Sequence, residues 1–334
     1  MKHVLQIARW EWFKLQRRRL PWILLAILVA FSQLGIWGSY VAYETTLATG
    51  GRVMLPFGAG IGAPRMINCN DLQSRPAEVL PAGTARQVSD ELLQQCRQQQ
   101  ARMAVRVGAL IPTGSVTSSL NLATSLGLVL LGILAASVVG IEYGLGTLRP
   151  ILARGPGRLS YLAGKYLMLI GTATAMLLII GAAAAGSGTV VAHAVSAQSI
   201  DSVAARAWSD IGVSFVKALA ALITYLTIAG TLTLLVRSAA AGMAISVGYY
   251  IIESVFVRIM STAFKWFDHV AQYLPLRNIS ALVGGGGINM TNGNAANAIG
   301  TLHAGLVLAA YVVAFAGLSA LVFRDRDIGG AAGG

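Results

Sequence analysis

The sequence predicts an all-α integral membrane protein with six transmembrane helices, and three features predict it. Hydrophobic residues make up 55% of the chain and charged residues 11%, with a mean hydropathy of +0.67, which is too apolar for a soluble domain. Apolar runs recur at 20–43, 120–141, 161–185, 213–236, 239–257 and 304–323. Each has about 19 to 25 residues, enough to cross an apolar layer of about 30 Å. Basic residues then gather on one side of these runs. Segments 1–19, 142–160, 237–238 and 324–334 hold twelve Lys and Arg, while 44–119, 186–212 and 258–303, nearly three times as long together, hold eleven. That density, above all the cluster from Lys14 to Arg19, predicts a multi-pass protein of the cell (inner) membrane with both termini cytoplasmic.

Residues 1–19 read as an amphipathic interfacial helix: Val4, Leu5, Ala8, Trp12 and Leu15 share one face, with Lys2, Arg9, Gln16 and Arg17 roughly opposite. Glu11, the three tryptophans up to Trp22 and the long apolar run that follows predict a retained anchor rather than a cleaved leader. The extracytoplasmic loop 44–119 between spans 1 and 2 opens Gly- and Pro-rich. It ends as an amphipathic helix that Ser89 caps, that Asp90 and Glu91 suit at the dipole's positive end, and that carries a stripe of Leu92, Cys96, Met103, Val107 and Leu110. The chain's two cysteines, Cys69 and Cys96, both fall in this segment. An oxidising compartment would join them, with an entropic restraint of about 3 to 4 kcal/mol in the chain-entropy model; the alternative is two free thiols.

The second run opens on Ser118, Ser119, Asn121, Thr124 and Ser125 and later spaces Gly132, Ala136 and Gly140 four apart, a stripe that lets another helix approach closely. Lys165 near the start of the third run is expected to snorkel toward headgroups. Arg237 and Ser238 leave room only for a tight turn, so the fourth and fifth spans form an antiparallel hairpin. Glu253 is the one acid well inside a span, and Arg258, five residues on, is its candidate partner in an intramembrane charge pair. The segment 258–303 is apolar and aromatic through Phe264, Trp266, Phe267 and Tyr273 but is broken by Asp268, His269 and Pro275, which predicts an interfacial or re-entrant stretch. Gly284 to Gly287 end it, and the tail 324–334 carries no motif.

The loop 142–160 concentrates charge between two apolar runs. Thr147 suits an N-cap, Pro150 falls in the first helical turn and Gly155-Pro156-Gly157 ends the helix, giving about two turns with Arg149 and Arg154 on a polar edge and Leu148, Ile151 and Leu152 on an apolar one. Such a helix suits a groove in a partner protein; the plainer reading is a connector whose arginines only follow the positive-inside rule. The order Glu142, Gly146-Thr147, Arg149, Arg154, Arg158, then Lys165 opening the next span, resembles the loop after the second span in type-2 ATP-binding-cassette (ABC) transporter permeases. The resemblance implies that this loop is a short cytoplasmic coupling helix docking on an ABC ATPase, and that residues 1–19 are an elbow helix. It also implies that the permease pairs with a second permease subunit, as homodimer or heterodimer. Pro150 and the Gly-Pro-Gly imply a coupling helix shorter than is usual in that family.

The net charge of +12 raises nucleic acid as a partner, but the arginines do not interleave with aromatics on a polar surface. Anionic lipid and an acidic partner groove are the expected counterparts. Gly164-Lys165 is followed by Tyr166, and Leu159 stands where a Walker A glycine belongs, so ATP and Mg are expected on the partner subunit and no cofactor on this chain. His3, His193, His269 and His303 are scattered and no H-E-x-x-H occurs, so no metal site and no enzyme activity are expected. The competing readings are a secondary transporter driven by an ion gradient, and a non-transporting membrane subunit anchoring a larger complex.

Overall fold

In a computed structural model of the chain, the residues described are 2–48, 52–54, 66–68, 94, 96–98, 110–146, 157–194, 204–284 and 299–325. The long elements are α1 (Lys2–Gln16), α2 (Arg19–Ala48), α3 (Pro112–Gly144), α4 (Arg158–Ala194), α5 (Ala204–Val236), α6 (Ala239–Ala263) and α9 (Thr301–Asp325); the short helices α7 (Phe267–Ala271) and α8 (Pro275–Val283) lie between the last two. Six of these, α2 to α6 and α9, are long and apolar enough to cross a membrane. The chain is therefore a multi-pass membrane protein. Each of the six helices outruns the apolar run that predicted it, because once the surroundings are apolar the backbone satisfies its polar groups only by remaining helical.

One departure from an all-helical chain falls in the loop after α2. Strands β1 (Arg52–Met54) and β2 (Met66–Asn68) pair antiparallel, Val53 opposite Ile67. The helix expected in the second half of that loop is described only at residues 94 and 96–98, which are helical.

Burial orders the bundle. Two thirds of the apolar windows of α3 and α5 are buried, against 22% for α6 and 17% for α9, so α3 and α5 form the centre and the others turn an apolar face outward. Small residues bring the central helices together as their spacing predicted. A Cβ on Gly132 would come within 2.8 Å of the Tyr225 ring, and one on Gly140 within 2.5 Å of the Ala239 backbone. Side-chain hydroxyls add hydrogen bonds between helices. Tyr166 of α4 and Thr231 of α5 meet Ser319 of α9 at 3.0 and 2.7 Å, Tyr225 donates to the Ser246 carbonyl at 2.5 Å, and Ser187 donates to Gln33 Oε1 at 2.6 Å.

The α5–α6 link is the tight hairpin expected. Arg237 takes a left-handed φ of 57° and donates its N–H to the Thr233 carbonyl at 2.9 Å, ending α5. Ser238 then accepts from the Ala241 N–H and starts α6. Helix α1 packs along α4, where Gly164 leaves space for Ile7 and Gly171 faces Trp12. Its buried edge is Glu11 and Leu15 with Trp12 half-buried, whereas Leu5, expected on that edge, is 59% exposed. The stripe is thus rotated toward Glu11, because the surface α1 meets is a neighbouring helix that supplies charge as well as apolar contact.

Candidate functional site

Of the three buried carboxylates among the described residues, Glu11, Glu142 and Glu253, the last two organise the polar chemistry near opposite ends of the bundle. Glu142 sits at the end that carries α1 and the last turn of α9. Val138 and Glu142 lie one turn apart on α3, and Tyr161 and Lys165 lie one turn apart on α4, so each pair shares a helix face. Glu142 is 7% exposed and accepts a hydrogen bond from the Tyr161 hydroxyl. Its Oε2 is also 2.7 Å from Lys165 Nζ, which donates to the Val138 carbonyl at 3.0 Å and lies 5.2 Å over the Tyr161 ring. Tyr161 in turn stacks on Phe323 of α9. The pair Glu11–Lys14 on α1, 2.7 Å apart, lies close enough for both charges to act on Lys165.

These contacts revise several expectations. Lys165 does not snorkel; it is 3% exposed, because Glu142 and a carbonyl give its ammonium better partners than distant headgroups. Glu142 turns into the bundle rather than toward a docking surface. Gly146 adopts φ 63° just past the end of α3, a left-handed position that glycine occupies without cost. Arg158 opens α4 and its Nη1 donates to the Arg324 carbonyl at 3.0 Å, tying the loop's exit to the last turn of α9. Thr147, Arg149 and Arg154, with the coupling helix they define, lie outside the described residues.

The second carboxylate is Glu253 on α6. Arg258 is exposed and sits roughly 140° away around the helix, since five residues at about 100° each overshoot one turn, so the two do not pair. Glu253 is instead buried, and its Oε1 accepts the Leu276 backbone N–H at 2.7 Å. It thereby caps the N-terminus of α8 from a different helix, where the unbonded N–H groups and the dipole favour a carboxylate. Glu253 Oε2 and Asn278 Oδ1 are buried without a hydrogen-bond partner among the described residues. Tyr249, one turn earlier on α6, lies beside the carboxylate.

Helix α8 lies in the stretch expected to be interfacial or re-entrant, and seven of its nine residues are buried. Pro275 starts it and Gly284, at φ 87°, stops it. Arg277 pairs with Asp268 at 3.1 Å, and Asn278 Nδ2 donates to the carbonyls of Gln272 and Leu274 at 2.7 and 2.8 Å. The Pro-to-Gly interval was the sequence signal that could have delimited this helix; nothing in the sequence pointed to Glu253 as its cap. Cys96 is fully buried and disulfide-bonded, and Cys69, the chain's only other cysteine, lies outside the described residues. Among the described residues no three His, Cys, Asp or Glu side chains gather as a metal site would require.

Residues 106–329, from just before α3 to beyond α9, match the family described as protein of unknown function DUF2705. The chain belongs to that family. DUF2705 therefore takes in Glu142 and Glu253, the hairpin α5–α6 and the helix α8, while α1 and α2 precede the matched region. No curated protein and no solved structure matches the chain.

Proposed function

We propose that this chain is the membrane-spanning permease subunit of an ABC transporter, an exporter in which a separate cytoplasmic ATPase drives substrate translocation. In this reading both termini and the loop 142–160 are cytoplasmic, α1 is the elbow helix, and a second permease subunit completes the path. The observation that carries the reading is the clamp at the base of that loop. Glu142, Tyr161 and Lys165 join the last turns of α3 to the first turns of α4 through buried, charge-assisted bonds. A displacement applied to the connection is delivered to the central helix α3 instead of being absorbed at the loop. The pattern of Arg149, Arg154 and Arg158 beyond the clamp, together with the resemblance to type-2 permeases, supports an ATPase as the source of that displacement.

Replacing Arg149 and Arg154 by Glu reverses the field of the loop without touching the clamp. The expected outcome is a protein that inserts normally and no longer co-purifies with its ATPase. An ATPase that still co-purifies, with transport intact, would move the docking surface elsewhere. A secondary, ion-driven transporter is the second reading, and the Glu253 oxygen without a hydrogen-bond partner among the described residues is the observation in its favour. Transport by the chain alone in liposomes, driven by a proton or sodium gradient, would decide for it.

A further inference from the structure

Between α1, α2 and α4 lies an apolar cleft of about 80 Å³, walled by Trp12 and Leu15 of α1, Leu25 of α2, and Thr172, Met176 and Ile179 of α4. Gln16, Pro21 and Trp22, on either side of the turn from α1 into α2, also line it, and that turn is the most basic stretch of the chain: Arg17, Arg18 and Arg19 are consecutive. The turn is fixed rather than loose. Trp22 Nε1 donates to the Gln16 carbonyl at 2.9 Å across it, and the Arg17 guanidinium is held 4.3 Å from the Phe13 ring centroid. None of the three arginines has an ion-pair partner among the described residues, whereas Lys14 nearby is neutralised by Glu11. Three consecutive cations, without an ion-pair partner among the described residues, therefore lie in the chain between Gln16 and Pro21, two of the residues lining a slot that is almost wholly apolar.

We propose that this is a binding site for an anionic phospholipid drawn from the surrounding leaflet, its phosphate on Arg17, Arg18 and Arg19 and part of one acyl chain in the cleft. The two halves demand different things of the same molecule. The arginine fork suits phosphate oxygens, the cleft suits methylenes, and a lipid at a membrane-entry turn supplies both at the right spacing. Charge complementarity selects the headgroup, because a zwitterionic lipid brings a compensating ammonium into a site already carrying three positive charges. The α5–α6 turn, by contrast, offers a single cation, Arg237. The bound lipid acts as a strut: it fills the gap where α1 diverges from α4, beyond the close contacts at Gly164 and Gly171. The proposal needs only that the chain sits in a bilayer and is independent of the ABC transporter reading.

The test uses the full chain in nanodiscs with photoactivatable acyl-chain analogues of phosphatidylglycerol and phosphatidylcholine, followed by peptide mapping. Phosphatidylglycerol is expected to label the peptides containing Trp12 to Leu25 and Thr172 to Ile179 on the order of tenfold more than phosphatidylcholine. Neutralising the fork as R17Q/R18Q/R19Q should remove that preference. The charge-retaining R17K/R18K/R19K should keep most of it, which separates loss of the site from altered insertion. Ala175→Phe, which fills the cleft and leaves the fork intact, should lower labelling of the α4 peptide several-fold. Glycerophosphoglycerol, the headgroup without acyl chains, should not compete. Equal labelling by the two lipids, an unchanged preference in the glutamine variant, unchanged labelling in Ala175→Phe, or full competition by the free headgroup would each overturn the proposal.

Discussion

Glu142 and Glu253 are buried to nearly the same degree, 7% and 6% exposed, yet their surroundings assign them different work. Glu142 has a cation, a phenol and a neighbouring charged pair on α1, and Lys165 is equally well provided. Every charge in that cluster has an opposite, so the cluster is a fixed joint. Glu253 has no cation. It holds a helix N-terminus through one oxygen, while the other has the Tyr249 phenol beside it and no hydrogen bond of normal length among the described residues. The lesson is that burial alone does not separate a structural carboxylate from a responsive one; the count of satisfied lone pairs does.

The largest effect that tests this contrast is expected at the paired site. Lys165→Met leaves Glu142 charged with no cation and only the Tyr161 hydroxyl bonded to it, at a cost of about 3 to 5 kcal/mol, while the double variant Glu142→Gln, Lys165→Met should recover most of the loss. Thermal unfolding in detergent, read by size-exclusion monodispersity after heating, measures both; a double variant no better than the single would mean the pair is not the joint described here. At the other end the sign changes. Glu253→Gln keeps a carbonyl oxygen for the Leu276 N–H and removes an uncompensated charge, so stability should hold or rise slightly, whereas Glu253→Ala removes the cap and should cost about 1 kcal/mol. The same heating assay distinguishes them, and a glutamine variant as damaged as the alanine one would show that the charge itself is required. The smallest effect belongs to Arg258. As an exposed residue that does not pair with Glu253, it should tolerate Arg258→Gln within about 0.5 kcal/mol, and a larger loss would reinstate the charge pair.

The spans were legible because hydropathy acts through length, and length survives errors at either end. The helices nevertheless run further than the apolar runs. In α4 the Gly/Ala stretch from Gly181 to Gly188 stays helical, helped by Ser115 donating to the Ala184 carbonyl at 3.0 Å. Close-packing glycines were legible for the same reason that makes them work: a four-residue spacing places Gly132 and Gly140 on one side of α3. Rotational and tertiary information was not legible. Glu253 was matched to Arg258 by proximity along the chain, but its partner arrives 23 residues later from another helix. Lys165 was read as a residue seeking solvent because nothing in the sequence orients α3 against α4, and only that orientation brings Glu142 to it. Glu11 was missed because a charge on an otherwise apolar edge looks like noise until the facing helix proves to carry charge as well.

Helix α8 bears on the order in which the chain assembles. At nine residues it is about 13 Å long, too short to cross a bilayer, and it carries Arg277, Asn278 and Ser280. Such a segment has no reason to leave the translocon into lipid by itself. Its cap, Glu253, is synthesised before it, and α9, where His303 approaches the Gln272 carbonyl at 3.4 Å, is synthesised after it. Helix α8 therefore docks late, when α6 and α9 are both in place to enclose it. A released chain truncated before residue 300 should leave this segment open to protease even though five of the six membrane-length helices are present.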